Sequence, residues 1–294
     1  MKRKAFSLIE ISVVILIIGI LISGISTGID LYQDFRLSTA RQLTQNSRVG
    51  RIEGLALWLE TTSERSFENT NPKNGELIGL WKDLNPTKIS NFNLIQTVNN
   101  SKPIYTSRYK ESMLPSLKFN NAQTIEKADV RGYDFFENNS ITIFLVQNTT
   151  GGSDTTMSWI PTNSSGGEIA RFNLHLQHNS RSYFDFWKSG SGDGRIEYIN
   201  TISYVNKNTI FHFIRSNSIM EIGINGAVIA TKNNASGDID GNLIAPFIVG
   251  KLRTDAYYLF DGTISEIIIY NRGLSIKEIK EIEEYLAKKW VIKI

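Results

Sequence analysis

The sequence predicts an α+β protein in which a long amino-terminal α-helix precedes a mainly β sandwich that closes with a carboxy-terminal helix. Three observations predict this architecture. An apolar run of membrane length lies near the start, short β-rich segments separated by Gly, Ser and Asn follow, and an amphipathic segment ends the 294-residue chain. Their order divides the chain into a helical part that ends at residue 53 and a head that spans residues 54–294.

The first element is a helix of about 40 residues, near 60 Å long at ~1.5 Å per residue. Its apolar run extends from Phe6 to Ile25. Beyond the run, apolar residues recur at roughly three- and four-residue spacing, namely Ile29, Tyr32, Phe35, Ala40 and Leu43. About 20 apolar residues cross a bilayer, so half of the helix lies in the membrane and half projects from it. Gly50 and Gly54 mark its end.

Glu10 lies inside the apolar run, where a charged side chain costs about 2.5–3.5 kcal/mol at mid-helix depth. Three interpretations compete: a cleaved secretory signal, a plain membrane anchor, and an anchor that is also an assembly element. A secretory signal requires a small-x-small cleavage site, and Ser23-Gly24-Ile25-Ser26 is a poor substitute. A plain anchor explains the basic residues at 2–4, which stay cytoplasmic by the positive-inside rule. It does not explain Glu10.

The stretch Lys4-Ala5-Phe6-Ser7-Leu8-Ile9-Glu10 resembles the amino terminus of type IV prepilins and of the pseudopilins of type II secretion. The resemblance implies that residues 1–5 are a leader, that a prepilin peptidase cuts between Ala5 and Phe6, and that the new amine of Phe6 is methylated. Members of the family usually have Gly before the cut, where this chain has Ala5. The resemblance also implies that Glu10 pairs with the terminal ammonium of a neighbouring pilin-like subunit. Such a pair fixes register, because opposite charges attract strongly in a dry helix bundle.

The head is predicted to consist of strands and turns from Leu55 onward. Alternating or continuous apolar segments predict strands at 55–60, 141–146 and 261–270. Asn225-Gly226 lies between two β-rich segments and predicts a hairpin with a type I′ turn. The closing helix begins with a capping box, Ser275-Ile276-Lys277-Glu278, and carries an apolar stripe that ends at Trp290.

Several short motifs, in this order, resemble bacterial laminin G-like, concanavalin A-like jelly-roll domains. They include Leu57-Trp58-Leu59-Glu60, Trp81-Lys82-Asp83-Leu84, Asn225-Gly226, Gly262-Thr263-Ile264-Ser265-Glu266 and the closing segment 283–290. The resemblance covers nearly everything after Gly54, and it implies that the β-sandwich is a jelly roll of this type. The chain departs from the family at Glu60, where relatives often carry Asp, and at Asn85-Pro86, where they often carry Ser-Gly.

The composition excludes several classes of function. The net charge is +3, but three of the 32 basic residues belong to the leader, and without it 29 basic residues balance 29 acidic ones. The mature chain therefore has no electrostatic footprint for nucleic acid. The chain has no Cys, which excludes disulfides, thiolate metal sites and Cys nucleophiles. His175, His178 and His212 are the only histidines, and we expect the first two at the surface.

Domains of the resembled class commonly bind glycans or matrix proteins, sometimes through Ca²⁺, and some relatives hydrolyse glycans. The fold does not decide among these functions. A glycosidase needs two carboxylates about 5–10 Å apart, and jelly-roll glucanases carry them as Glu-x-Asp-x-x-Glu. No such segment occurs in this chain, and the acids of Asp238-Ile239-Asp240 lie between glycines that indicate a turn. We therefore predict that the chain is not an enzyme and requires no cofactor.

The candidate ligand contacts of the head are aromatic residues and loop carboxylates. Aromatic rings stack on the apolar faces of sugars, which makes Trp187, Tyr257 and Tyr258 candidates, whereas we expect Trp81 in the core. Ca²⁺ takes oxygen ligands from loops. The candidate ligands for a Ca²⁺ ion in the head are Asp83, Asn85, Asp255 and Asp261.

Together these observations predict a pilin-like filament subunit that is processed by a prepilin peptidase and displays its head for adhesion or for recognition of a glycan or an extracellular protein. Its single span would lie in a bacterial inner membrane, with the leader cytoplasmic and the head periplasmic or on a surface filament. One alternative is a pseudopilin-type component of a type II secretion-like machine. A second alternative is a membrane-tethered glycan hydrolase.

Overall fold

The computed structural model describes residues 7–87, 92–152, 154–178, 180–189, 193–199, 203–253 and 258–294, with only the backbone at 154, 177 and 178. Helix α1 (Leu8–Asn46) has 39 residues and begins at the N-cap Ser7. A short 3₁₀ turn (Val49–Arg51) then leads into the head. The predicted long amino-terminal helix is confirmed.

Strands form most of the head. In chain order they are β1 (Leu55–Glu60), β2 (Leu80–Trp81), β3 (Leu94–Ile95), β4 (Ile104–Tyr109), β5 (Leu114–Asn120), β6 (Ile125–Arg131), β7 (Ile141–Thr149), β8 (Asp154–Trp159), β9 (Ala170–His178), β10 (Arg181–Lys188), β11 (Arg195–Ile199), β12 (Thr209–Ser216), β13 (Ile219–Ile224), β14 (Ala227–Lys232), β15 (Ile244–Val249) and β16 (Asp261–Tyr270). Helix α2 (Ile276–Trp290) closes the chain.

The strands make two antiparallel sheets. The first has the order β14-β13-β12-β7-β16-β5-β4. Strand β1 also belongs to it: β5 pairs with the first half of β16, and β1 pairs with the second half. The second has the order β11-β10-β9-β8-β15-β6-β3-β2. We call them sheet A and sheet B. The predicted α+β class, with a mainly β jelly-roll sandwich between two helices, is confirmed.

The main core lies between the two sheets and is rich in aromatic rings. Phe135, Trp159, Phe172 and Phe247 are fully buried there, and the ring of Phe135 lies within 5.7 Å of the other three rings. Trp81 is also fully buried, as expected. Since alternate residues of a strand point to opposite faces, the neighbours of these core residues face outward and are available for function.

The predicted hairpin is present at β13 and β14. Asn225 and Gly226 both have positive φ, +47° and +82°, which is the geometry of a type I′ turn. Asn225 also accepts a hydrogen bond from the backbone N–H of Ile210, 2.9 Å away, and so joins the turn to β12. The turn residue therefore contributes both backbone geometry and a contact to the sheet.

Helix α2 packs on the outer face of sheet A and forms a second core. Its capping box at Ser275 and Glu278 is present as predicted. The stripe of Ile282, Leu286 and Trp290 is buried against sheet A residues such as Phe144. Helix α1 joins this core through Ala40, which is 1% exposed. The second core thus attaches both helices to one face of the sandwich.

A fully buried charge cluster holds α2 in place. The Lys289 ammonium donates to Glu60 on β1 (2.8 Å), to Glu266 on β16 (2.9 Å) and to the Tyr285 hydroxyl (3.1 Å). The indole of Trp290 donates to Glu266 at 2.8 Å. Burial opposes the ionisation of Glu60, but the attraction to Lys289 and the hydrogen bonds from Lys289 and Thr62 together outweigh it, and the pKa of Glu60 is lowered. The two carboxylates likewise outweigh burial at Lys289 and raise its pKa.

Candidate functional site

The first functional region is the free part of α1. Its residues 8–32 are exposed, and its best 18-residue window has a mean hydropathy of 2.8 with none of the window buried. Among the described residues it is the one helix long and apolar enough to cross a membrane. No described residue buries this apolar surface, which is of the kind that a membrane or another protein covers.

Glu10 lies in the first turn of this helix. Its Oε2 accepts a hydrogen bond of 2.8 Å from the backbone N–H of Ser7, and the Ser7 hydroxyl accepts one of 3.3 Å from the N–H of Ile9. The two side chains form a capping box, and the spacing Ser7-x-x-Glu10 is the local signal for it. Ala5 and Phe6, the predicted cleavage residues, lie outside the described residues.

The second half of α1 is fixed to the head by hydrogen bonds. Arg36 donates from Nε to the carbonyl oxygen of Ser112 (3.2 Å) and from Nη2 to that of Lys289 (3.0 Å). The hydroxyls of Thr44 and Tyr285 lie 3.3 Å apart. Because Tyr285 and Lys289 also belong to the buried charge cluster, α1, α2 and sheet A form one polar network. The head is therefore held at a defined orientation on its helix.

The second functional region is the outward face of sheet B. The register of β8, β9 and β10 places Asn173 between Ser158 and Asp185. Asp185 is 1% exposed and accepts from two Arg195 nitrogens, one of them at 2.8 Å, while Arg171 lies 3.9 Å away. Asn173 is also 1% exposed, and neither polar atom of its carboxamide has a hydrogen-bond partner among the described residues. The sequence carries no signal that distinguishes Asn173.

Two of the predicted aromatic ligand contacts lie on this face. Trp187 is half-buried on β10, with the guanidinium of Arg171 5.8 Å from its ring centroid. The ring of Tyr258 lies 4.9 Å from that of His175 on β9. Tyr257 lies outside the described residues. The structure therefore brings Trp187 and Tyr258 to the same face of the same sheet.

The expectation that His175 is a surface residue is wrong. Its side chain is 7% exposed, and its Nδ1 lies 2.9 Å from the Thr155 hydroxyl on β8. Tyr258 covers it from the segment between β15 and β16. The side chain of His178, which is also expected at the surface, lies outside the described side chains.

The residues considered as Ca²⁺ ligands do not converge in the described part of the chain. Oδ1 of Asp83 accepts from the backbone N–H groups of Trp58 (3.0 Å) and Asn85 (2.9 Å), so this carboxylate closes the turn after β2. Asn85 donates to the carbonyl oxygen of Leu55 at 2.7 Å. Asp261 opens β16 in the other sheet, and Asp255 lies outside the described residues. No group of three His, Cys, Asp or Glu suited to a metal occurs among the described residues.

Two segments of the chain match known families. Residues 120–280 match the concanavalin A-like lectin/glucanases superfamily, and the chain belongs to this superfamily. Residues 1–26 match the prokaryotic N-terminal methylation motif. The suspected fusion of a prepilin-type segment with a concanavalin A-like domain is therefore confirmed. The motif implies processing by a prepilin peptidase and assembly with other pilin-like subunits.

Solved structures similar to the chain share its fold at low identity. The binding domain of botulinum neurotoxin serotype G has a TM-score of 0.54 and 14% identity, with 79% of this chain and 51% of that chain covered. The binding domain of Paraclostridial mosquitocidal protein 1 has a TM-score of 0.50 and 15% identity, with 79% and 52% covered. A Trypanosoma rangeli sialidase has a TM-score of 0.50 and 14% identity, with 82% and 33% covered.

The chain thus spans between about a quarter and about half of the length of the solved structures it matches. No curated protein matches it. Identities of this size establish the fold of the head and leave its ligand to be argued from its own residues.

Proposed function

We propose that this chain is a pilin-like filament subunit that displays its head for recognition of a glycan. One observation carries the proposal: a methylation motif and an exposed apolar helix are joined to a concanavalin A-like sandwich that is hydrogen-bonded to the same helix. The leader of residues 1–5 would face the cytoplasm, and the head would lie on the far side of the inner membrane. A rigid junction suits a subunit that must hold its head at a repeated position on a filament.

The environment of Glu10 supports the assembly role. Oε2 is occupied by the N–H of Ser7, whereas Oε1 has no hydrogen-bond partner among the described residues. A carboxylate accepts on both oxygens, so Oε1 is available to the terminal ammonium of a neighbouring subunit. The capping box holds the carboxylate close to the start of the helix, where that ammonium would approach. Cleavage between Ala5 and Phe6 would create the ammonium.

The assembly role is tested by substituting Glu10 in cells that make the protein. Glu10→Ala should strongly reduce the subunit recovered in the sheared surface fraction, while the head remains folded. Ser12→Ala is the matched control, because among the described residues the Ser12 hydroxyl bonds to the carbonyl of Leu8 in the same helix (2.8 Å) and to no other group. An undiminished yield from Glu10→Ala would contradict the proposed pairing.

The outward face of sheet B supports glycan binding. The face carries a row of polar side chains in which Asn173, itself buried, lies between Ser158 and Asp185. Trp187 and Tyr258 lie on the same face and provide apolar ring surfaces of the kind that sugars cover. Two of the similar structures are themselves described as binding domains.

The acids near this face are paired with arginines. Asp185 accepts from Arg195 (2.8 Å), Glu168 from Arg171 (2.6 Å) and Glu197 from Arg181. These ion pairs fix the positions of the three carboxylates, which suits them to orienting neighbouring side chains and the hydroxyls of a ligand.

A glycan array probed with the full-length chain in non-ionic detergent tests the ligand. We expect binding that Trp187→Ala weakens and that Tyr133→Ala preserves, since Tyr133 is an exposed aromatic residue outside sheet B. Absence of glycan binding would favour the pseudopilin alternative, in which the head contacts other subunits or cargo. Release of a shortened glycan by the same preparation would overturn the assignment of a non-enzymatic head.

A further inference from the structure

A cavity lies where α1 meets the head, away from the outward face of sheet B. It has a volume of about 460 Å³ and is bounded by the end of α1, the following 3₁₀ turn and the loops after β1 and β2. Three arginines line it, Arg41, Arg51 and Arg65, together with the single acid Glu64. Small-molecule sites commonly have volumes of about 300–1,000 Å³, so the cavity is large enough for one.

The charge of this cavity is unbalanced. Arg41 donates to Glu64 at 2.8 Å and to the carbonyl oxygen of Thr62 at 2.9 Å, which fixes its position. The guanidinium groups of Arg51 and Arg65 form no ion pair or hydrogen bond among the described residues, and both side chains are exposed. One acid against three arginines leaves an excess of two positive charges. Arginine binds carboxylates in a bidentate geometry, so the excess favours an anionic ligand.

The floor of the cavity is apolar, which distinguishes it from a group of solvated surface arginines. Trp58 and Leu84 line it at 6% and 7% exposure, and Pro86 completes it. The Trp58 indole is held in place because its Nε1 donates to Glu266 at 2.8 Å. A fixed aromatic ring beneath cationic groups accommodates an apolar body that carries a negative charge.

We propose that this cavity binds a carboxylate attached to an apolar body, with Arg51 and Arg65 contacting the carboxylate and Trp58 contacting the apolar body. The ligand would touch α1 and the head at once, because the lining residues come from both. Its binding would therefore stabilise the junction that fixes the head on the helix. This site is separate from the glycan site on sheet B and does not depend on it.

Calorimetric titration of the full-length chain in non-ionic detergent tests the proposal, with sodium phenylacetate as the probe. Phenylacetamide has the same apolar body without the charge, and inorganic phosphate has charge without the apolar body. We expect phenylacetate to bind at least tenfold more tightly than either. If phenylacetamide binds as tightly as phenylacetate, the role of the arginines is refuted. If phosphate binds as tightly as phenylacetate, the role of the apolar floor is refuted. If phenylacetate does not bind, the proposed site is refuted.

Two variants assign the contacts. Arg51→Gln/Arg65→Gln should weaken phenylacetate binding at least tenfold, whereas Arg131→Gln/Lys293→Gln, which removes the same charge from exposed positions elsewhere, should leave it unchanged. Glu64→Gln should tighten binding about two- to fivefold, because it removes one exposed repulsive charge. Equal weakening by both double variants, or weaker binding by Glu64→Gln, would show that the cavity is not the site.

Discussion

Substitution of Lys289 by Met tests the buried charge cluster that joins α2 to sheet A. The side chain of Lys289 and those of Glu60 and Glu266 are 0% exposed. Met fills a similar volume but removes the ammonium, so both carboxylates remain buried without a cation. Both accept from the same nitrogen, at 2.8 and 2.9 Å, and therefore lie close together.

The loss of stability follows from two contributions. Removing one partner of a buried ion pair typically lowers the free energy of unfolding by about 3–5 kcal/mol. The two oxygens that accept from Lys289 at 2.8 and 2.9 Å lie less than about 6 Å apart, so two ionised carboxylates there also repel each other by roughly 3 kcal/mol at an effective dielectric constant of ~20. Protonation of one carboxylate relieves that repulsion, so we expect a net loss of about 3–5 kcal/mol at neutral pH and a smaller loss at pH 4.

Urea unfolding of the full-length chain in non-ionic detergent, followed by near-ultraviolet circular dichroism, measures this loss. Lys288→Met is the matched control, because Lys288 is the exposed neighbour on the same helix and should be neutral. Lys289→Met/Glu60→Gln/Glu266→Gln removes every charge of the cluster and should recover at least half of the loss. A loss below about 1 kcal/mol in Lys289→Met would refute the reasoning, as would a triple variant less stable than the single one.

Three further predictions concern the head. Gly223→Ala should lower the free energy of unfolding by about 1–3 kcal/mol, because the added Cβ would lie 2.0 Å from the ring of His212. Nδ1 of that ring lies 2.7 Å from Oε1 of Glu283, which limits the movement of the ring. An unchanged urea midpoint would be inconsistent with this contact. The hydrogen bond from Arg272 lowers the pKa of Glu278 from 4.5 to about 2. The stability that this pair contributes should therefore be present above pH 4.5 and decline as the pH falls towards 2. Arg272→Gln should flatten that decline in urea midpoints measured across this pH range. Arg215→Met should destabilise the head, because the fully buried guanidinium donates to Asp238 and to the carbonyl of Phe186; equal stability of the variant would argue against these bonds.

The elements that could be predicted from the sequence are those whose signals are local. The long helix follows from a continuous apolar run, the hairpin from Asn225-Gly226, and the start of α2 from Ser275 and Glu278. The capping box at Ser7 and Glu10 is equally local and could have been predicted from the same pattern.

The remaining features depend on contacts between distant residues. Glu60 differs from the Asp common among relatives, and its partner Lys289 lies 229 residues away, which no local pattern reveals. The burial of His175 is one such feature, because Thr155 contacts its ring from another strand and Tyr258 from a distant loop. The position of Asn173 between Ser158 and Asp185 likewise follows only from the register of three strands.

The mature amino terminus is the most direct test of the central claim that this chain is a processed, pilin-like subunit. Mass spectrometry of the amino-terminal peptide, taken from the protein in its native cell, identifies the first residue and any methyl group on it. We expect a peptide that begins at Phe6, carries one methyl group on its amine and retains Glu10. A native chain that still begins at Met1 would contradict the claim.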